Sequence, residues 1–385
     1  MKTLSLIIVL FLVAVSAQAS WKDNFGFQGY VREEPLVWKP PTYFYATDTG
    51  YRFNNLIHAR ENIRWYPSNP LRVGVDLKAR LYAGKSSDLL RSQTNTTQFG
   101  ATYFNLTHAF IDENDLTLTG TIDRAWVDWT KGPVETTVGR QRIAWGTSLV
   151  WNPIDLFNPS SPLDFDNEEL PGTDAARVQW YLGPNSKLEG AVSPQKDADN
   201  TVGAVKLLVN KWEYDWIVLA GRRRGQAVIG AAWAGSILKG GFRGELLYAI
   251  PRGLSEDPYV TATVGGDFTF RNTLYLHAAV LYNERGTTGN AGGLKLLESY
   301  QRGELTSSRI NLFAEVARDL NPLLRGDVMS ILNPYDGSWY IGPSLTWSVV
   351  TNLDLTGLAL IFGGYTLTEY GDNGEIFLAR LKYSF

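Results

Sequence analysis

The sequence contains no cysteine and only three histidines, His58, His108 and His277, which lie far apart. Without cysteine there is no disulfide, no thiolate metal site and no C-x-x-C-H motif for covalent haem attachment. The scattered histidines do not predict a metal centre, so we expect no cofactor. The net charge of −3 at pH 7 is not the strongly basic balance of a nucleic-acid-binding protein, and we expect no nucleic-acid partner.

Long apolar runs are also missing after residue 20, so no segment there is predicted to cross a membrane as a helix. No internal repeat of fixed period occurs, which argues against solenoids and propellers. A Gly-x-Ser-x-Gly motif does not occur, and His58 is the only candidate base on an inner strand face. We therefore expect no enzyme activity; a barrel enzyme and a secreted β-rich protein are the alternatives.

The N-terminus has the features of a secretory signal peptide. Lys2 precedes an apolar run over residues 4–15, and the small-residue site Ala17-Gln18-Ala19 follows it. The run is too short to span a hydrocarbon core of ~30 Å as an anchor. We predict that residues 1–19 are a cleaved signal peptide and that residues 20–385 form one domain.

The rest of the chain alternates apolar and polar residues with a period of two, as half-buried β-strands do. Residues 51–66 and 71–83 show this clearly, and the sequence Pro67-Ser-Asn-Pro70 between them predicts a tight turn. The same pattern predicts strands near 24–33, 51–66, 71–83, 116–130, 134–144, 173–182, 186–194, 201–209, 213–222, 226–236, 240–250, 258–270, 272–284, 306–319, 322–332, 338–350, 352–363 and 373–385. Residues 99–111 also alternate, and we assign them to a long external loop because a further crossing would make the count odd.

Short turns alternate with long polar loops, and several tryptophans lie close to the short turns. This asymmetry is typical of outer-membrane barrels, whose turns are periplasmic and whose loops are external. We predict an all-β fold, namely a transmembrane antiparallel up-and-down β-barrel of about 18 strands, with 16 as the alternative. The last strand, Phe377 to Phe385, is similar to the terminal signature of bacterial outer-membrane barrels that the barrel-assembly machinery reads.

Positively charged residues share the inner face of neighbouring strands. We predict that they line a pore, because excess charge of one sign on one wall acts on passing solutes. The predicted basic wall consists of Arg52, Arg60, Arg64, Arg72, Lys78, Arg80 and Arg177. The alternative is a set of cross-strand ion pairs, with Asp76 as one partner, that only makes the wall rigid.

The loop over residues 146–172 is predicted to be ordered, since four prolines restrict its backbone and Trp151 and Phe157 give it surface to bury. Folded into the barrel, it would be a constriction whose acidic residues face the basic wall. These acidic residues are Asp155, Asp164, Asp166, Glu168 and Glu169. The alternative is an external cap that contacts no solute.

The motifs over residues 139–146 and 151–159 resemble those of porin-like barrels related to the alginate-export type. They are also similar to the barrel component of porin–cytochrome conduits; the resemblance covers Val138 to Asp174. It implies that Arg140, Arg142 and Arg177 line the pore and that residues 164–169 form the constriction. Strict alternation places Arg140 and Arg142 on the same face as Val138, so a β-bulge at Gly139 would be needed to turn them inward.

The sequence therefore predicts a porin-like channel in the outer membrane of a Gram-negative bacterium, through which small polar or anionic solutes diffuse passively. The alternative is a sheath that holds a multihaem cytochrome in an electron-transfer conduit. Expected partners are outer-membrane lipids, the barrel-assembly machinery, further copies of the chain and, for the alternative, periplasmic or extracellular cytochromes.

Overall fold

A computed structural model describes residues 24–40, 50–85, 102–158, 169–252 and 257–385. The predicted signal peptide, residues 1–19, lies outside these residues. So do three of the predicted constriction residues, Asp164, Asp166 and Glu168. In the described part of the chain, no helix is both long and apolar enough to cross a membrane.

The described chain is almost entirely β-strand. The strands are β1 Phe25–Trp38, β2 Arg52–Ser68, β3 Leu71–Gly84, β4 Thr107–Glu113, β5 Leu116–Lys131, β6 Val134–Gln141, β7 Thr173–Gly183, β8 Ser186–Ser193, β9 Val202–Lys211, β10 Tyr214–Arg223, β11 Gln226–Ile237, β12 Gly240–Ile250, β13 Tyr259–Thr269, β14 Tyr275–Asn283, β15 Ile310–Asn321, β16 Leu324–Leu332, β17 Trp339–Val350, β18 Leu353–Gly363 and β19 Ile376–Ser384. One helix, α1, spans Leu294–Arg302, and a single 3₁₀ turn spans Ala198–Asn200.

The strands form one closed antiparallel barrel. Each pairs with its neighbours in the sequence, and β1 closes the sheet by pairing with both β2 and β19. Strand β4 is the exception, since β3 pairs directly with β5 and β4 is hydrogen-bonded along part of β5. The barrel therefore has 18 strands, which confirms the predicted fold class and count. The segment assigned to an external loop contains the short strand β4 and makes no crossing of its own.

Alternation decides which side chains face outward. In β14 the polar or small side chains of His277, Ala279 and Asn283 are buried, whereas Val280 and Tyr282 on the other face are exposed. Exposed apolar side chains recur on the outer face of most strands, as expected where a hydrocarbon phase covers the wall. The inner faces hold the charged and packed residues that define the interior.

The two ends of the barrel differ. At the end that we call the turn end, consecutive strands are joined by short turns; the hairpin turns at Trp212-Glu213 and Leu238-Lys239 have positive φ at both residues, as a two-residue type I′ turn requires. At the loop end the connections are long, with one exception at residues 224–225. This asymmetry agrees with the predicted periplasmic turns and external loops.

Candidate pore and its inner segment

Residues 142–158, which we call the inner segment, lie inside the barrel. Ile143, Trp145 and Ile154 are buried in one cluster with inward residues of strands β7 to β12. Trp151 packs instead against Phe313 of β15, with 6.1 Å between ring centroids. Because the segment contacts both β7–β12 and β15 of a closed barrel, it can only run through the lumen.

Glu245 of β12 fastens the inner segment to the wall. Its Oε1 accepts hydrogen bonds from the backbone N–H groups of Thr147 (2.5 Å) and Ser148 (2.8 Å) and from the Thr147 hydroxyl (3.2 Å). Its Oε2 accepts from the backbone N–H of Ile154 at 3.2 Å. One carboxylate therefore satisfies three backbone donors that would otherwise be buried without partners.

Trp145 makes the second attachment. Its indole N–H donates to Glu189 of β8 at 2.7 Å, and the ammonium of Lys206 lies 4.9 Å from its ring centroid. Lys206 and Arg177 both approach the same Glu189 carboxylate, at 3.2 Å and 3.9 Å. Arg177, one of the predicted pore-wall residues, is thus part of the surroundings of the inner segment.

Arg60 is the centre of the charged wall on β2, β3 and β5. Its guanidinium contacts three carboxylates, those of Asp76 (2.9 Å), Asp123 (2.8 Å) and Glu169 (2.5 Å). Lys78 lies 3.5 Å from Asp123. Glu169 belongs to the returning end of the predicted constriction loop, so the structure brings one predicted loop acid together with one predicted wall arginine.

Two further members of the predicted basic wall lie nearer the turn end. Arg64 donates to Asp76 and its guanidinium carbon lies 5.4 Å from the ring centroid of Trp126. Arg72 donates to Asp128 at 2.7 Å and lies 3.6 Å from Glu135. The wall is therefore a set of ion pairs rather than an uncompensated row of cations.

Toward the loop end the basic wall continues through Arg52 and Arg80. Arg52 is buried, and its guanidinium carbon lies 5.8 Å from the ring centroid of Trp38. Arg80 is buried beside His58, its register partner on β2. The structure thus places Arg52, Arg60, Arg64, Lys78 and Arg80 along one continuous inner face, with Arg72 at its turn end.

Arg140 does not belong to this face. Strand β6 keeps a regular register with both β5 and β7, so no bulge occurs at Gly139. Arg140 shares the face of exposed Val138, and its guanidinium donates to both carboxylate oxygens of Asp174 at 2.8 Å. It lies where β6 ends and holds β7 to that end of the wall.

The irregularity in this part of the sheet lies in β5, where the register with β3 shifts beside Asp123. Gly139 itself has φ +117°, and a Cβ there would meet the carbonyl oxygen of Ala125 at 2.3 Å. Arg142 follows the end of β6 as an exposed residue of the inner segment, and its charge lowers the pKa of Asp155.

Asp155 is the most deeply buried of the predicted constriction acids that the structure describes. Burial, assisted by the charge of Glu245, raises the pKa of Asp155 to about 7, although the backbone N–H of Asn158 donates to it at 3.3 Å. Its carboxyl group accepts this hydrogen bond from within the inner segment and makes no ion pair with the basic wall among the described residues. Of the described loop acids, Glu169 alone contacts an arginine of that wall.

Sequence reasoning missed Glu245, Glu189 and Asp123, which organise the interior. Glu245 could have been noticed, since alternation places it on the same inner face as Leu247 and Ala249, where an acid needs a partner. Asp123 could not, because its inward direction depends on the register shift in β5.

A closed antiparallel barrel of 18 strands with a segment folded through its lumen defines the class: this is the fold of Gram-negative outer-membrane porin-like barrels. No protein-family model and no curated protein matches the chain. Crystal structures match over nearly the whole length. Acinetobacter baumannii OccAB4 has a TM-score of 0.59 at 9% identity, covering 94% of this chain and 98% of its own.

OccAB3 of the same organism also has a TM-score of 0.59, at 12% identity, with 94% of this chain and 99% of its own covered. Pseudomonas aeruginosa OpdK, solved with vanillate, has a TM-score of 0.53 at 9% identity, with 93% and 98% covered. The neighbours are outer-membrane porins of the Occ and OprD type. At these identities the likeness shows a shared fold.

Proposed function

We propose that the protein is a passive channel, not an enzyme, in the outer membrane of a Gram-negative bacterium, where small polar or anionic solutes diffuse through its lumen. The inner segment supports this reading, because it covers the apolar inner face of β7–β12 and narrows the lumen. The charged wall on β2, β3 and β5 then borders the remaining passage. Residues 1–19 would be removed on export.

The preference for anions rests on one observation, the unequal exposure within the ion pairs. The side chains of Arg72, Arg64 and Arg177 are 44%, 27% and 20% exposed. The carboxylates that they contact, Asp128, Asp76 and Glu189, are 3%, 1% and 2% exposed in the same pairs. Although each of these three pairs is close to neutral, a passing solute meets their guanidinium donors rather than their acids. The Arg60–Glu169 pair has the opposite arrangement, with side chains 1% and 35% exposed, so the preference rests on Arg64, Arg72 and Arg177.

The narrow lumen enhances this effect, since charges beside a low-dielectric wall are less screened than in bulk water. The OpdK neighbour was solved with vanillate, itself an organic anion, which agrees with a lumen that presents guanidinium groups. The alternative, a sheath around a multihaem cytochrome, stays a prediction. For it, the inner segment and its attachments at Glu245 and Glu189 would have to leave the lumen.

Planar-bilayer recording tests the proposal. We expect discrete open-channel steps and, across a KCl gradient, a reversal potential that indicates anion preference. Replacing Arg64, Arg72 and Arg177 together by glutamine should move the reversal potential toward cation preference while leaving the barrel folded. Arg318→Gln is the matched control, because Arg318 is an exposed arginine on the outer face of β15. An unchanged reversal potential in the triple variant would overturn the anion preference, and absence of steps would overturn the channel.

A further inference from the structure

A short hairpin places two arginines together at the loop end of the barrel. Arg223 is the last residue of β10, on the inward face that Ile217 and Leu219 share. Arg224 and Gly225 form the two-residue connection to β11, with φ of 48° and 76°. Because this turn has only two residues, the side chains of Arg223 and Arg224 both reach the same region at the loop end of the barrel.

Both guanidinium groups contact the end of helix α1. Arg223 Nη2 donates to the carbonyl oxygen of Gly303, and Arg224 Nη1 donates to that of Gln301, each at 2.8 Å. A Cβ built on Gly303 would lie 2.7 Å from Nη1 of Arg224 and 3.0 Å from Nη2 of Arg223. The two guanidinium groups therefore lie side by side, and each keeps further N–H donors beyond the one used here.

No carboxylate of the described residues pairs with either arginine. Glu304, the acid beside them, is held by Arg302 at 2.7 Å and lies 3.9 Å from Arg285. Two adjacent cations in a partly buried place repel each other and lose hydration. Backbone carbonyls offset only part of that cost, so this arrangement is suited to an added anion.

A cavity of about 470 Å³ opens directly beside both arginines. Its other walls combine apolar, hydroxyl and cationic side chains, from Leu156, Phe157, Val202, Thr173, Ser193 and Lys196. Asp197, the carboxylate among the described lining residues, already accepts hydrogen bonds from the N–H of Asp199 and from Nδ2 of Asn200, each at 3.1 Å. The net charge facing the cavity is therefore positive.

We propose that Arg223 and Arg224 form a binding site for a compact anion with two negative charges, such as inorganic phosphate or sulfate. Paired guanidinium groups present parallel N–H donors that match the oxygens of such an anion. Across the cavity the hydroxyl groups of Thr173 and Ser193 are hydrogen-bonded to each other at 3.0 Å, which leaves one of their two protons as a further donor. The site lies above the inner segment, where a solute arriving from the loop end would meet it before the charged wall.

Isothermal titration of the full chain, folded in detergent micelles at pH 8 in low-chloride buffer, tests the site with inorganic phosphate. We expect saturable binding with one phosphate per chain. Arg224→Asn should weaken it at least tenfold, and asparagine tolerates positive φ, so the hairpin is retained. Arg222→Gln is the control, because Arg222 lies next to the pair but on the outer face, where it binds Asp199 at 2.7 Å.

Sulfate separates titration of the ligand from titration of the protein. Lowering the pH to 6 should weaken phosphate binding, since phosphate then loses its second charge. It should not weaken sulfate binding, since the protein group that titrates in this range, Asp155, only loses a negative charge near Arg223. Absence of saturable binding to wild type in the millimolar range, or equal affinity in Arg224→Asn, would overturn the proposal. Conductance in KCl does not depend on this site, so its failure and that of the proposed channel are distinguishable.

Discussion

Replacing Glu245 by alanine is expected to release the inner segment from the barrel wall. The substitution removes the acceptor of three backbone N–H groups and one hydroxyl, those of Thr147, Ser148 and Ile154. At about 1–3 kcal/mol for each buried donor left without a partner, loss of the acceptor of the three N–H groups alone weakens the inward position by roughly 3–9 kcal/mol. We therefore expect the released state to be populated more often than in wild type, because the barrel does not have to unfold for the segment to move.

Because the sequence contains no cysteine, thiol labelling of a single introduced cysteine can report on the inner segment. Ser148→Cys places the only thiol of the chain at a buried side-chain oxygen of the inner segment. In this background we expect Glu245→Ala to raise the rate of maleimide labelling by at least tenfold. In planar bilayers the same variant should show larger and noisier conductance steps.

Glu315→Gln is the matched control. Glu315 is an inward acid of β15 whose partner is His277, at 3.3 Å, and not the inner segment. It should leave both labelling and conductance as in wild type. If Glu245→Ala labels as slowly as wild type and conducts equally, the carboxylate does not hold the segment and the reasoning is refuted.

Two further predictions concern pH and backbone strain. Because the pKa of Asp155 is raised to about 7, the inward position of the inner segment favours the neutral acid. The free energy that holds the segment inward should therefore fall by about 1.4 kcal/mol per pH unit as the pH rises from the usual aspartate pKa toward 7. Thiol labelling at Ser148→Cys should therefore accelerate as the pH rises to 7, beyond the intrinsic change in thiol reactivity measured on a free peptide, and Asp155→Asn should abolish the excess. Gly139→Ala should lower the free energy of unfolding in urea by at least about 1–2 kcal/mol, since alanine at positive φ is strained and its Cβ would meet a carbonyl oxygen. Gly183→Ala, where a Cβ meets nothing within 4 Å, should change it little; equal effects would contradict the strain argument.

The barrel could be predicted from the sequence because a period of two reports directly which side chains face lipid and which face the lumen. The same rule placed Arg60, Arg64 and Arg80 on the inner face correctly. It identified Asp76 as a partner but not Asp123 or Glu169, since these two meet Arg60 only through a register shift and a long loop. Helix α1 was also missed, because it lies in a connection where no periodic burial constrains the sequence. The alternation over residues 99–111 was recognised, and strand β4 lies partly within that segment, which makes no crossing of its own.

Arg140 shows where a resemblance misleads. Its place in the motif implied a pore-wall role, but the regular pairing of β6 puts it on the face of Val138, bonded to Asp174. The pattern alone had already favoured that face. For this residue, strand geometry was the better guide than the motif.

The seam between β1 and β19 has a consequence for the kinetics of folding. Its hydrogen bonds, such as those that accompany the pairing of Val31 with Tyr383, join residues from opposite ends of the described chain. Every hairpin of the barrel can form from local contacts, whereas the seam forms only when all the other strands are in place. Until that moment two bare strand edges remain available to other chains. The last step of assembly therefore has the largest cost in chain entropy, and it also removes the strand edges that could pair with other chains.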